Sequence, residues 1–353
     1  MINNILLISM DKMCVFCGEK PEKKNKEHVL PQWLLKLTGD PNRIVTFGHE
    51  TDGGKPIIFN WKNLTCPSCT KCNDRYADFE AEIKTLVEKL LNKEELTGNE
   101  SIKILDWLDK VRIGLWLNYY YLEKNKALIN PRLFIDNRLG KKDRFLQIHF
   151  LESTKKSIGL NAFGVETFAF QFNPSCFGLR INNILLINGS NDYLVSQSCG
   201  FPYPKKMELQ ENGMIMIGDW EYNRITQKGI GGLNLDKGVL TVMQPIQSDN
   251  EHTFNFFKDS YLTENCINIE KQTGTLFRIE NNLVRSINDL NKKLKYESVV
   301  DENTKYIGEL ISKIYEGQNT FFKKQLKPNN KILENVILLN EFKINYYNEY
   351  HKK

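Results

Sequence analysis

Two cysteine pairs carry the strongest chemical signal in this chain. Cys14-Val15-Phe16-Cys17 stands near the N-terminus and Cys69-Thr70-Lys71-Cys72 comes later, with Cys66 three positions before Cys69. Two intervening residues let the backbone turn both sulfurs of a pair toward one point, so four thiolates in two such pairs suit a tetrahedral structural zinc. Between the pairs lie Glu27 and His28, and Asn73 directly follows Cys72. A carboxylate oxygen and a carboxamide oxygen are hard ligands, suited to a magnesium-like ion that keeps several waters. An imidazole with an ordinary pKa of ~6.5 is neutral at pH 7 and can take a proton from water. Together these groups have the chemistry of phosphodiester hydrolysis, which a zinc knuckle alone does not need.

The elements that must position these groups are legible in outline. Gln32 to Leu37 reads as a short apolar helical turn ended by Gly39, and Arg43 to Gly48 with Lys55 to Trp61 as two strands of a hairpin. From Cys69 the chain turns helical, with Phe79, Ile83, Leu86, Val87, Leu90 and Leu91 on one face and Asn73 in the first turn. Thr97-Gly98-Asn99 breaks that helix. Ser101 is the expected N-cap of the next, whose buried stripe is Ile102, Leu105, Leu108, Leu115, Tyr119 and Leu122. Beyond Pro131 the expected strands are Arg144 to Leu151, Val165 to Phe172, Phe177 to Ile187, Met214 to Gly218, Val239 to Met243 and Thr253 to Phe257. From Leu283 onward helices return, notably Tyr306 to Tyr315 and Ile332 to Tyr347.

The words Cys14-Val-Phe-Cys17-Gly18, Lys26-Glu27-His28-Val29-Leu30-Pro31-Gln32-Trp33-Leu34 and Cys69-Thr-Lys-Cys72-Asn73 resemble HNH endonucleases of the zinc-stapled ββα-metal type. The resemblance covers roughly the first quarter of the chain. It implies a treble-clef-like module with His28 as general base, and Glu27 and Asn73 as ligands of a catalytic magnesium or manganese ion. Asn63 would be the middle asparagine that orients the base, with Asn60 as competitor. The same pattern favours Cys69 with Cys72 over Cys66 as the second zinc pair, because that register places Asn73 at the helix start. Glu80, seven residues after Asn73 and on the same helical face, would support the metal or pair with a lysine.

The expected architecture is α+β: an HNH nuclease module over residues 1–95, a basic helical connector over 96–150, and an α+β domain over 151–353 that selects a target or regulates activity. The expected function is hydrolysis of nucleic-acid phosphodiesters, with DNA as partner, in a role such as bacterial restriction or anti-phage defence. Two alternatives stay open: a non-catalytic zinc-stapled nucleic-acid-binding module, and a nuclease gated by a ligand of the C-terminal domain. The formal charge of +5 carries no nucleic-acid argument by itself. Residues 101 to 160, however, hold twelve Lys or Arg against six Asp or Glu, and Arg138, Lys141, Lys142 and Arg144 are the candidate phosphate contacts. No apolar run reaches the ~20 residues of a membrane span. Ile5 to Ile8 lacks the basic flank of a secretion signal, so a cytoplasmic site with reduced cysteines is expected. His49 and His149 read as surface or satisfied core groups, and Cys176, Cys199 and Cys266 as core thiols.

Overall fold

The computed structural model of the 353-residue chain describes residues 13–21, 23, 25–49, 55–122, 134–138, 143–151, 157–191, 193–201, 203–209, 215–221, 233, 235, 238–245, 266–268, 273–297, 304–325 and 331–350. The expected strand Thr253 to Phe257 lies outside the described residues.

The chain begins with β1 (Asn25–His28), α1 (Gln32–Leu37), β2 (Ile44–His49), β3 (Pro56–Asn60), a 3-10 turn (Trp61–Asn63) and β4 (Thr65–Ser68). β2 and β3 pair antiparallel as the hairpin reading requires. β4 runs back antiparallel along β1, setting Glu27 opposite Cys66 and His28 opposite Thr65, and feeds directly into α2 (Thr70–Leu91). The apolar face of α2 is buried at Tyr76, Ile83, Leu86, Val87 and Leu90.

α3 (Gly98–Leu122) follows, and here the structure corrects the sequence reading twice. Its N-cap is Thr97, not Ser101. Thr97 Oγ1 accepts from the Glu100 backbone N–H at 3.2 Å while Glu100 Oε2 accepts from the Thr97 N–H at 2.8 Å, a reciprocal capping box. Ser101, four residues on from the cap, bonds back to the Thr97 carbonyl. Nor does α3 bury a single stripe: from Ile104 to Tyr119 every residue but Asp106 is buried. A helix covered all round is a core element, and α3 touches β4 on one side and β5, β8 and α5 on another. The approach to the N-terminal strands is close. A Cβ on Gly114 would lie 2.9 Å from Val29 Cγ1.

The second half is built on a seven-stranded antiparallel sheet in the order β15-β14-β11-β5-β8-β7-β6. Its elements, with those between them, are α4 (Ile135–Arg138), β5 (Arg144–Phe150), β6 (Leu160–Phe163), α5 (Phe168–Phe172), β7 (Cys176–Ile181), β8 (Ile184–Ser190), α6 (Leu194–Cys199), β9 (Tyr203–Leu209), β10 (Ile215–Glu221), β11 (Leu240–Gln244), β12 (Cys266–Asn268), β13 (Thr273–Gly274), β14 (Phe277–Glu280) and β15 (Leu283–Ser286). Two long helices close the chain, α7 (Thr304–Gln325) and α8 (Lys331–Tyr350). The run Phe177 to Ile187 is two strands, because Asn182 takes a left-handed φ of 55° and turns the chain between β7 and β8. Residues from Leu283 likewise form a strand before any helix, joined to β14 through Asn281 and Asn282 at φ 49° and 60°. Val165 to Phe172 is not a strand: Thr167 Oγ1 accepts from the Phe170 N–H at 3.0 Å and starts the short helix α5.

The fold is therefore mixed α+β, with antiparallel strands. One apolar cluster runs from Cys14 through α2 and α3 to Leu146, Ile148, Leu186 and Val242 on one face of the sheet. A second packs Phe145, Leu185, Ile187 and Met243 of the opposite face against Leu310 and Ile314 of α7. None of the described helices is long and apolar enough to cross a membrane.

Candidate functional site

The four knuckle cysteines converge. The Sγ atoms of Cys14, Cys17, Cys69 and Cys72 all lie within 4.8 Å of one another, with Cys17 and Cys69 sulfurs 3.9 Å apart. Tetrahedral zinc with Zn–S of ~2.3 Å needs sulfurs about 3.8 Å apart, so the cluster could hold a zinc ion. The local chain explains the convergence. Gly18 takes φ +79°, a left-handed turn that closes the first knuckle, and its N–H donates to the Cys14 carbonyl at 2.9 Å. The Val15 N–H donates to the Pro67 carbonyl at 2.9 Å, sewing the knuckle to β4, while Phe16 stacks on Tyr76 of α2 with ring centroids 4.3 Å apart. The Cys69 N–H, at the α2 N-terminus, donates to Cys14 Sγ at 3.2 Å.

The electrostatics of the cluster favour a cation. Burial opposes ionisation of Cys14, but N–H groups of Cys17, Cys69 and Phe16 outweigh it and hold the thiol below its ordinary value. Burial and the neighbouring Cys14 push Cys69 up to about 12, and Cys72 is also raised by burial and by Cys14. Crowded sulfurs thus resist joint ionisation until a divalent ion neutralises them. Cys66 stands apart. It is buried, accepts from Asn118 Nδ2 at 3.0 Å, and burial beside Glu27 holds its thiol protonated. Packing, not ligation, is its role here.

Adjacent to this cluster, β1 and α2 bring Glu27 and Glu80 onto one lysine, with His28 close enough to feel the charges of Glu80 and Lys110. Neighbours on a strand point to opposite faces, and the two β1 residues differ accordingly: Glu27 is buried and His28 half-buried. Asn73 sits in the first turn of α2, its N–H donating to the Cys69 carbonyl at 2.9 Å. Its side-chain Oδ1 is buried and accepts no hydrogen bond among the described residues. An orphaned buried carboxamide oxygen is what a hard cation would satisfy. The Gln32 amide nitrogen lies 3.1 Å from His28 Nδ1 and 3.2 Å from Nε2; it can donate only to a ring nitrogen without a proton. Burial lowers the His28 pKa, Glu80 opposes this, and Lys110 and Lys26 lower it further.

Lys110 of α3 is the residue that sequence reasoning missed. Its side chain is 1 % exposed, and its ammonium donates to Glu27 Oε1 and to Glu80 Oε1, both at 2.5 Å. Burial alone would favour neutral lysine; the carboxylates of Glu80 and Glu27 reverse that and raise its pKa. Burial raises the pKa of Glu80, against the pull of Lys110. Of the two readings open for Glu80, the pairing with a lysine is the one present. The signal for Lys110 was a cluster of charges, Asp106, Asp109, Lys110 and Arg112, among the large apolar residues of Ile104 to Tyr119, which points to buried pairs when the helix is a core element.

The remaining expected residues fall elsewhere. Asn63 ends the 3-10 turn with its side chain exposed, and no hydrogen bond among the described residues ties it to His28. It does precede Leu64, whose carbonyl accepts from the Val29 N–H at 3.4 Å. Arg144 is not a phosphate contact. It is buried and donates to Asp106 at 2.6 Å, Asp109 at 2.8 Å and Gln244 at 2.7 Å, because β5 carries it against α3 and not to the surface. Arg138 ends α4 with its side chain undescribed, and Lys141 and Lys142 lie outside the described residues. No protein-family model, curated protein sequence or solved structure matches the chain.

Proposed function

We propose that the chain is a metal-dependent endonuclease of the HNH type, its N-terminal part a treble-clef-like ββα-metal module stapled by zinc. The observation that carries this reading is one continuous frame. β1 presents Glu27-His28, β4 pairs with β1 in register, and a Cys69–Cys72 knuckle opens α2 with the buried, unsatisfied Oδ1 of Asn73 beside it. Glu27 and Asn73 would hold magnesium or manganese, which when bound stabilises negative charge on a phosphate and its leaving oxygen.

The chain's own groups supply the rest. His28, kept neutral by burial, takes the proton of the attacking water on the ring nitrogen that the Gln32 amide occupies at rest and must release. Because its pKa lies below the ordinary value, the base form dominates at neutral pH. Lys26, exposed on the same strand, adds positive charge where a phosphate backbone would pass. DNA is the substrate we assign, with the large second half as the part that selects it, a role suited to restriction or anti-phage defence.

One observation favours a non-catalytic zinc-stapled binding module instead: the Glu27 carboxylate already carries a lysine. A single assay separates the two. Supercoiled plasmid is incubated with zinc-loaded wild type and His28→Ala, in magnesium, manganese or EDTA. The nuclease reading expects nicking or linearisation that needs both added metal and His28. Plasmid binding without cutting by zinc-loaded wild type would establish the binding module.

A further inference from the structure

We propose that Lys110 is a built-in counter-cation that competes with the divalent ion for Glu27 and keeps metal affinity at the site low. The inference rests on the nuclease reading above, since it takes Glu27 as a metal ligand.

Geometry and charge carry it. Glu27 and Glu80 arrive from β1 and α2, on opposite sides of the zinc knuckle in sequence, and their carboxylates meet on one ammonium from a third element. Two carboxylates and one ammonium leave a net charge of −1. With the lysine removed, two carboxylates would share the pocket with no ammonium on either, free to bind a proton or a cation. Lys110 cannot swing clear into solvent, because α3 is covered all round at this level and the side chain is 1 % exposed. A divalent ion reaching Glu27 and Asn73 must therefore share the carboxylate with a fixed positive charge. At the effective dielectric of ~20 that suits buried sites, a monovalent charge within about 6 Å of a divalent one costs well over tenfold in affinity. Lys110 acts through Glu27 and so is a positioning residue; nothing places it on a substrate.

The test reads metal binding directly. Manganese is titrated into the zinc-loaded full chain at pH 7.5 and the free ion is followed by electron paramagnetic resonance, with zinc content and far-ultraviolet circular dichroism as the check on fold. Lys110→Met should bind manganese at least tenfold more tightly than wild type. Lys110→Arg, which keeps the charge, should bind as weakly as wild type. A merely structural role predicts weaker binding on any substitution, so the direction decides. If Lys110→Met does not fold, the double variant Lys110→Met/Glu80→Gln leaves one buried carboxylate, and should still bind more tightly than wild type. Equal or weaker binding in whichever variant folds overturns the proposal. Glu27→Gln separates the levels: if it loses manganese while Lys110→Met gains nothing, the counter-cation idea alone is wrong. If Glu27→Gln binds manganese like wild type, Glu27 is no ligand and both readings fall.

Discussion

His149 offers a quantitative test of the packing around the central sheet. It sits on β5, fully buried, and burial, aided by Lys313 of α7, pushes its pKa down to about 3. In the unfolded chain the same imidazole titrates near ~6.5. Below that pH the unfolded state binds a proton that the folded state refuses, so the contribution is complete above pH 6.5 and is lost progressively as pH falls toward 3. At ~1.4 kcal/mol per pH unit, lowering the pH from 7.5 to 5.0 removes about 2 kcal/mol through this one residue. That is a large share of a typical ~5–15 kcal/mol. Urea unfolding of wild type and His149→Gln at both pH values isolates the contribution, because glutamine does not titrate and all other groups are common to the pair. Wild type should lose about 2 kcal/mol more than the variant on acidification. Equal losses in the two proteins would mean that His149 is hydrated or paired with an acid, and that β5 is not packed as described.

Two further outcomes follow from the clusters on either side of α3. Cys72→Ser should lower zinc from one per chain toward zero and abolish the upper part of the thermal transition, since zinc binding worth about 10–16 kcal/mol in small knuckles is folding energy; stoichiometric zinc by mass spectrometry with an unchanged melt would sink the four-cysteine assignment. Arg144→Met should cost about 3–5 kcal/mol in urea unfolding, because Asp106 and Asp109 then face the buried sheet with one guanidinium fewer, and a loss under about 1 kcal/mol would place Arg144 at the surface after all.

The parts of the site that were readable in the sequence are those held by local spacing. The knuckle cysteines, the Asn73 that follows them and the helix they open are fixed within a few residues of one another, and the knuckle spacing left one ambiguity, Cys66, which β-pairing resolves by turning it toward α3. The role of Lys110 was not readable because its partners lie 83 and 30 residues away, while Asp106 on its own helix offers an ordinary i,i+4 pairing. Arg144 misled for the complementary reason. A run of basic residues looks like a surface, and only the pairing of β5 with β8 and β11 shows that this one points inward. Phe168 to Phe172 was mistaken for a strand because aromatic residues fit either state, and the Thr167 cap with the Trp116 indole donating to the Gln171 carbonyl at 2.7 Å selects the helix.

The consequence of burying α3 through its middle turns is that the two halves of the chain share one set of charges. Asp109 and Lys110 are consecutive, so their side chains leave the helix about 100° apart. Asp109 bonds Arg112 at 2.5 Å and Arg144 at 2.8 Å on the sheet side, and Arg112 in turn donates to Asn188 of β8 at 2.9 Å. Lys110 bonds Glu27 and Glu80 on the other. Turning the helix enough to move the ammonium away from Glu27 would drag Asp109 off Arg144 and Arg112 off Asn188, leaving buried charges poorly compensated, at several kcal/mol each. The position of Lys110 is therefore set by the sheet as much as by the carboxylates it touches. Arg144 and Asn188, far along the chain from the cysteine knuckle, thus hold in place the helix whose Lys110 meets the Glu27 carboxylate.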